Sequence, residues 1–157
     1  MENTDLICNK FDFYCDFKNG EATIKIESDL PKDTNVGVFI SRIYEDKCDP
    51  GIKHSTDHFG EFKQLSYWEN LQTIRVDNDF YKGIIEKYID KLKGLVEVDI
   101  TNIRDEVEIT AIVPINQKNV LFGTGNKNLT GSAVYSKSDT TGLNIITREK
   151  IFNYSYK

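Results

Sequence analysis

With 157 residues, the chain is long enough for one domain with its own core and needs no metal or disulfide staple to fold. Its 39% hydrophobic and 29% charged content excludes wholesale disorder. A formal charge of −5 at pH 7 excludes a general nucleic-acid binder, which needs a positive surface to displace the counterions of phosphate.

The N-terminal aromatics Phe11, Phe13, Tyr14 and Phe17 alternate in part and predict an edge strand. Residues 22–27 alternate cleanly, with Ala22, Ile24 and Ile26 on one face, and predict a half-buried strand. Residues 29–33 form a turn around Pro31. Residues 36–44 predict a central strand, with Val36, Val38, Ile40 and the stem of Arg42 on one face and Phe39, Ser41 and Ile43 on the other. Residues 46–60 read as a polar loop, the first part of a long insert over 46–71 whose second half holds Phe59, Phe62, Tyr67 and Trp68.

Residues 72–76 and 79–84 flank Asp77-Asn78 and predict a hairpin. Apolar residues at helical spacing over 84–92, with Gly94 as a C-cap, predict a short helix. Strands are expected over 96–101 and 107–112, the second ended by Pro114. Residues 116–131 are turn-rich, and strands over 132–136 and 144–154 complete the chain, the last broken near Arg148. Seven or eight short strands with one short helix predict a mainly β, immunoglobulin-like antiparallel sandwich in a single domain over residues 1–157.

No stretch is apolar enough to span a bilayer as a helix. The acidic N-terminus lacks the features of a signal peptide, so a cytoplasmic location is expected, or the envelope if a leader has been removed. Three cysteines, Cys8, Cys15 and Cys48, fit a reducing compartment better than a disulfide framework. Lys fills 16 of the 20 basic positions, and Ile and Asn are abundant, the bias of an AT-rich genome such as a bacterium or its mobile elements.

Leu30-Pro31-Lys32-Asp33-Thr34, leading directly into the strand at Val36, resembles the LPDGT turn-and-strand of certain small bacterial β-sandwich proteins. The run Gly123-Thr124-Gly125-Asn126-Lys127-Asn128-Leu129-Thr130-Gly131 resembles their later G.GxNLxG loop, with Lys32-Asp33 here replacing Asp-Gly in the first motif. These proteins are lipoprotein-like or encoded on mobile elements. The resemblance covers roughly residues 22–136 and implies the same sandwich, with no catalytic residues.

Cys48, His54 and His58 are candidate zinc ligands, with Cys8 or Cys15 as a fourth, but the usual paired Cys-x-x-Cys knuckle is missing. The same residues could form a Cys–His nucleophilic pair. The loop 123–131 lacks the Gly-Lys-Ser/Thr of a phosphate loop and reads as a turn that uses Gly and Asn for positive φ. Phe59, Phe62, Tyr67 and Trp68 are either exposed recognition residues or, the preferred reading, a core plug at one open end of the sandwich. The expectation is a non-enzymatic binding domain with no cofactor or metal, recognising a protein through loops or a sheet edge. Its binding residues are expected at His54, His58, Tyr67 and Trp68, with the polar half of the insert presented at one end of the sandwich. A carbohydrate-binding or envelope module, and a hydrolase built on Cys48 or a metal, are the alternatives.

Overall fold

The computed structural model describes residues 5–46, 54–76, 100–136 and 144–155. In chain order these hold β1 (Leu6–Ile7), β2 (Phe11–Lys18), β3 (Glu21–Ser28), β4 (Asn35–Asp46), β5 (His54–Gln64), a one-turn helix α1 (Leu65–Trp68) and β6 (Gln72–Arg75). Then follow β7 (Ile100–Val113), two 3-10 turns (Val120–Phe122 and Thr124–Asn126), β8 (Leu129–Thr130), β9 (Tyr135–Ser136) and β10 (Asn144–Asn153). Strand far outweighs helix, as the period-2 alternation requires.

β2 and β3 are joined by Asn19-Gly20, with φ of 52° and 77°. Positive φ at both central residues gives the two-residue turn whose twist matches that of the flanking strands. β6 adds to the other side of β3, making an antiparallel sheet in the order β2-β3-β6. A second antiparallel sheet has the order β5-β4-β7-β10-β9, and β1 pairs in parallel with β8.

The alternation on each strand selects one inward face. Ala22, Ile24 and Ile26 of β3, Val36, Val38 and Ile40 of β4, and Ile109, Ala111 and Val113 of β7 are all fully buried. They join Phe11, Phe13, Trp68, Phe122, Leu129 and Ile146 in one apolar cluster to which both sheets contribute. Each buried Val, Ile or Phe contributes roughly 1.5–3 kcal/mol by leaving water, and this holds the layers together.

β2 is an edge strand among the described residues, as its partial alternation predicts, and β4 is central. Four expectations change. The second half of the expected polar loop is strand: β5 pairs with β4 along its length. Its start, His54-Ser55-Thr56-Asp57-His58, lacks apolar alternation because β5 borders the sheet among the described residues, where polar residues discourage further pairing. β7 continues through Arg104-Asp105, where a break was expected between two strands, because pairing with β4 and the 3.0 Å Arg104–Glu45 ion pair carry it past the core.

β10 runs unbroken through Arg148, whose guanidinium covers the Phe11 ring at 5.8 Å and donates to the Ala133 carbonyl. A charged head with a long stem can thus occupy an inward position. The strand expected over 132–136 shrinks to Tyr135–Ser136. The predicted helix over 84–92, the partner strand over 79–84 and the residues 96–99 lie outside the described residues.

Candidate functional site

Three connections meet at one end of the molecule. The turn before β4 is set by Pro31, whose carbonyl accepts from the Thr34 hydroxyl at 2.6 Å and the Thr34 N–H at 3.0 Å. α1 docks on that turn: Leu65 N–H donates to the Thr34 carbonyl at 2.7 Å, and Ser66 N–H to that of Lys32 at 3.1 Å. The segment after β7 leaves the ladder at Pro114, which has no N–H to continue it. Gln117 then clasps the start of β4, accepting from Asn35 N–H at 2.7 Å and donating to its carbonyl at 2.8 Å. Asn119 donates to the Asp33 carboxylate at 3.0 Å.

The result is a cleft of about 390 Å³ lined by Asp33, Asn35, Gln64, Asn116 and Lys118. Among the described residues, the Gln64, Asn116 and Lys118 side chains have no hydrogen-bond or ion-pair partner, so two amides and an ammonium are free to meet a ligand. An adjoining hollow of about 280 Å³ runs from Gln117 to Thr124. On this segment Val120 is 86% exposed and Leu121 55% exposed, a pair of large apolar side chains left in water. The segment is tied to its neighbours by side-chain hydrogen bonds. Asn126, fully buried at φ 58°, donates to the carbonyls of Pro114 and Asn144, both at 3.0 Å. Asn144 donates to that of Leu129 at 2.8 Å.

The residues expected from sequence are not gathered here. Trp68 is fully buried and donates its indole N–H to the Val36 carbonyl at 3.1 Å, so it anchors α1 and offers no contact surface. Tyr67 is 40% exposed, its ring edge-on to Trp68 and under the Lys63 ammonium, and it remains on the surface. His54, at the start of β5, pairs with Tyr44, and His58 is the extra residue where the β4–β5 register shifts. Both lie at the part of β5 far from the cleft. Asn35, at the cleft, and Tyr44, opposite His54, are separated by roughly 30 Å of extended strand.

An i, i+4 pair of histidines converges on a helix but is held roughly 13 Å apart along a strand, a poor start for one tetrahedral ion. Cys48 lies outside the described residues. The Cys8 and Cys15 thiols are pushed up to about 12 by burial, which favours the protonated form over the thiolate that binds zinc. No group of three or more His, Cys, Asp or Glu among the described residues is arranged to hold a metal ion.

The glycine-rich loop spends several of its amides internally: Asn126 N–H bonds to the Gly123 carbonyl, Lys127 N–H to that of Thr124 and Asn128 N–H to that of Phe122. Gly123, Gly125 and Asn126 take φ of 70°, 61° and 58°, the positive values expected of a Gly/Asn turn. The cleft residues were missed because Asp33, Asn35, Gln64, Asn116 and Lys118 share no spacing or motif. Among the described residues, no helix is long and apolar enough to cross a membrane. Compared with family models, curated proteins and solved structures, the chain matches none.

Proposed function

We propose that this chain is a non-catalytic recognition domain of immunoglobulin-like connectivity that binds another protein at the end where the three connections meet. The observation that carries the reading is the exposed Val120–Leu121 pair beside a cleft that holds the unpartnered Gln64, Asn116 and Lys118 side chains, with the segment over 114–126 pinned by the buried Asn126. Rigid apolar anchors flanked by polar groups are the usual make-up of a binding surface.

The connectivity reading is supported by strand order. Taking β2, β3, β4, β5, β6, β7 and β10 as A, B, C, C′, E, F and G gives A-B-E in one sheet and C′-C-F-G in the other. On that assignment the cleft lies where the B–C and F–G loops meet, the end at which variable domains bind. The likeness of the two loop motifs to small bacterial sandwich proteins supports a bacterial or mobile-element source.

A carbohydrate is the second reading, favoured by the amides, carboxylate and ammonium lining a cleft large enough for a small sugar. Quantitative capture with wild-type protein and a Val120→Asp, Leu121→Asp variant separates the two. A protein partner should fall at least about tenfold in the variant eluate, a loss of roughly 1.4 kcal/mol. An unchanged set of captured proteins refutes this surface. Binding of a glycan that survives this change but is lost in Gln64→Ala, Lys118→Ala favours the sugar.

A further inference from the structure

The side of the molecule between β2 and β10 carries a second feature, independent of the cleft. In the β2–β3 ladder, Lys18–Glu21 is the pair that closes a two-residue turn. Pairs alternate from there, so Asp16, Tyr14 and Asp12 bond to β3 while Phe17, Cys15, Phe13 and Phe11 turn their N–H and C=O groups outward. The Phe17 N–H confirms this direction, since it is taken by the Asp16 carboxylate at 2.9 Å. Among the described residues no further strand pairs with this edge, and the backbone groups of Phe13 and Cys15 have no partner there. Asp16 thus blunts one end of the edge and leaves the rest open.

The edge borders a groove of about 390 Å³ between β2 and β10. Its floor is apolar and cationic. Phe11 and Phe13 face inward, the Arg148 guanidinium lies over the Phe11 ring, and Lys150 shares the inward register of Ile109 on the neighbouring strand. The Lys150 ammonium is close enough to Cys15 to act on its thiol against the effect of burial. Asp12 and Glu149 also line the groove, but register places them on the outward faces, with Glu27 and Thr110. In a chain of net charge −5, the inner wall of this groove is positive.

We propose that the open edge of β2 takes an extended acidic peptide from a partner protein as an added strand. Its backbone would pair with Phe13 and Cys15, and its inward carboxylates would face Arg148 and Lys150. Main-chain bonds then supply affinity and alternate side chains supply selectivity, as in other strand-addition sites.

The test uses short labelled peptides alternating Thr with Glu or Thr with Lys, titrated into the full chain. The Glu peptide should bind more tightly by about fivefold, the upper range for a solvent-accessible ion pair. Lys150→Glu should reverse that order. Cys15→Pro should weaken both peptides, because it removes an outward N–H without touching a β3 bond. Amide exchange at Phe13 and Cys15, fast in the free protein, should slow when the Glu peptide binds. Melting temperatures establish that each variant is folded, and Lys150→Glu carries the test if Cys15→Pro is not. Absence of Glu-peptide binding up to about 1 mM, an unchanged preference in Lys150→Glu, or unaltered exchange at both amides each overturns the proposal.

Discussion

Arg42 shows how one residue can tie distant parts of the chain together. On β4 it occupies an inward position next to Val36, Val38 and Ile40, and the sequence justifies only its aliphatic stem there. Its whole side chain is buried, with the guanidinium 5.3 Å from the centre of the Tyr154 ring. Nη1 donates to the carbonyls of Tyr154 at 2.8 Å and Arg104 at 3.1 Å, joining the chain after β10 to β7. Replacing it with Met keeps the volume but strips two part-buried carbonyls of their donor. Arg42→Met should therefore lower stability by about 2–4 kcal/mol, measured by chemical denaturation. A loss below about 0.5 kcal/mol would mean that water reaches those carbonyls.

At the scale of elements, the N-terminal strand is held by a loop far away in sequence. β1 and its flank are clipped to β8 by Leu6 N–H to the Asn128 carbonyl and Cys8 N–H to that of Thr130, both at 2.7 Å. Ala133 N–H returns to the Cys8 carbonyl at 3.0 Å, and Asn9 accepts from Ser132 N–H at 3.0 Å. Gly131 makes this possible with φ of 112°, and a Cβ there would collide with the Cys8 carbonyl. Strain at positive φ and a clash with backbone add up, so Gly131→Ala should cost about 2–4 kcal/mol. Amide exchange at Leu6 and Cys8 should rise more than in the β4–β7 ladder. Equal changes in both regions would show that the clip is not a separate unit of stability.

At the scale of the whole molecule, Cys8 and Cys15 report on the shared core. Both thiols are pushed from 9.0 to about 12, chiefly by burial, with Asp29 adding to it at Cys8 and Lys150 opposing it at Cys15. Between these values the folded protein keeps protons that the unfolded chain releases, so the unfolded state is favoured as pH rises through that window. Wild-type protein should therefore lose melting temperature from about pH 8 to about pH 11 more steeply than a Cys8→Ala, Cys15→Ala variant. Other groups that titrate there cancel in the comparison. Parallel curves would show that these thiols ionise alike in both states.

What the sequence determined by itself is local. The alternation at Ala22–Ile26 and Val36–Ile40 dictates a strand with one apolar face, because a side-chain period of two leaves no other way to bury those residues together. Pro114 ends a strand and the Gly/Asn run after Gly123 forms a turn for equally local reasons, and Asn19-Gly20 carries a turn signal of the same kind. Only the tertiary structure decided what depends on partners. β5 is a strand because β4 offers it a ladder, Trp68 is core because α1 folds beneath β4, and Arg148 is tolerated inside because Phe11 arrives to cover its path. The cleft belongs to the same class. Asp33, Gln64 and Lys118 come from three separate connections, and no spacing in a linear chain encodes a meeting that only sheet pairing and loop docking bring about.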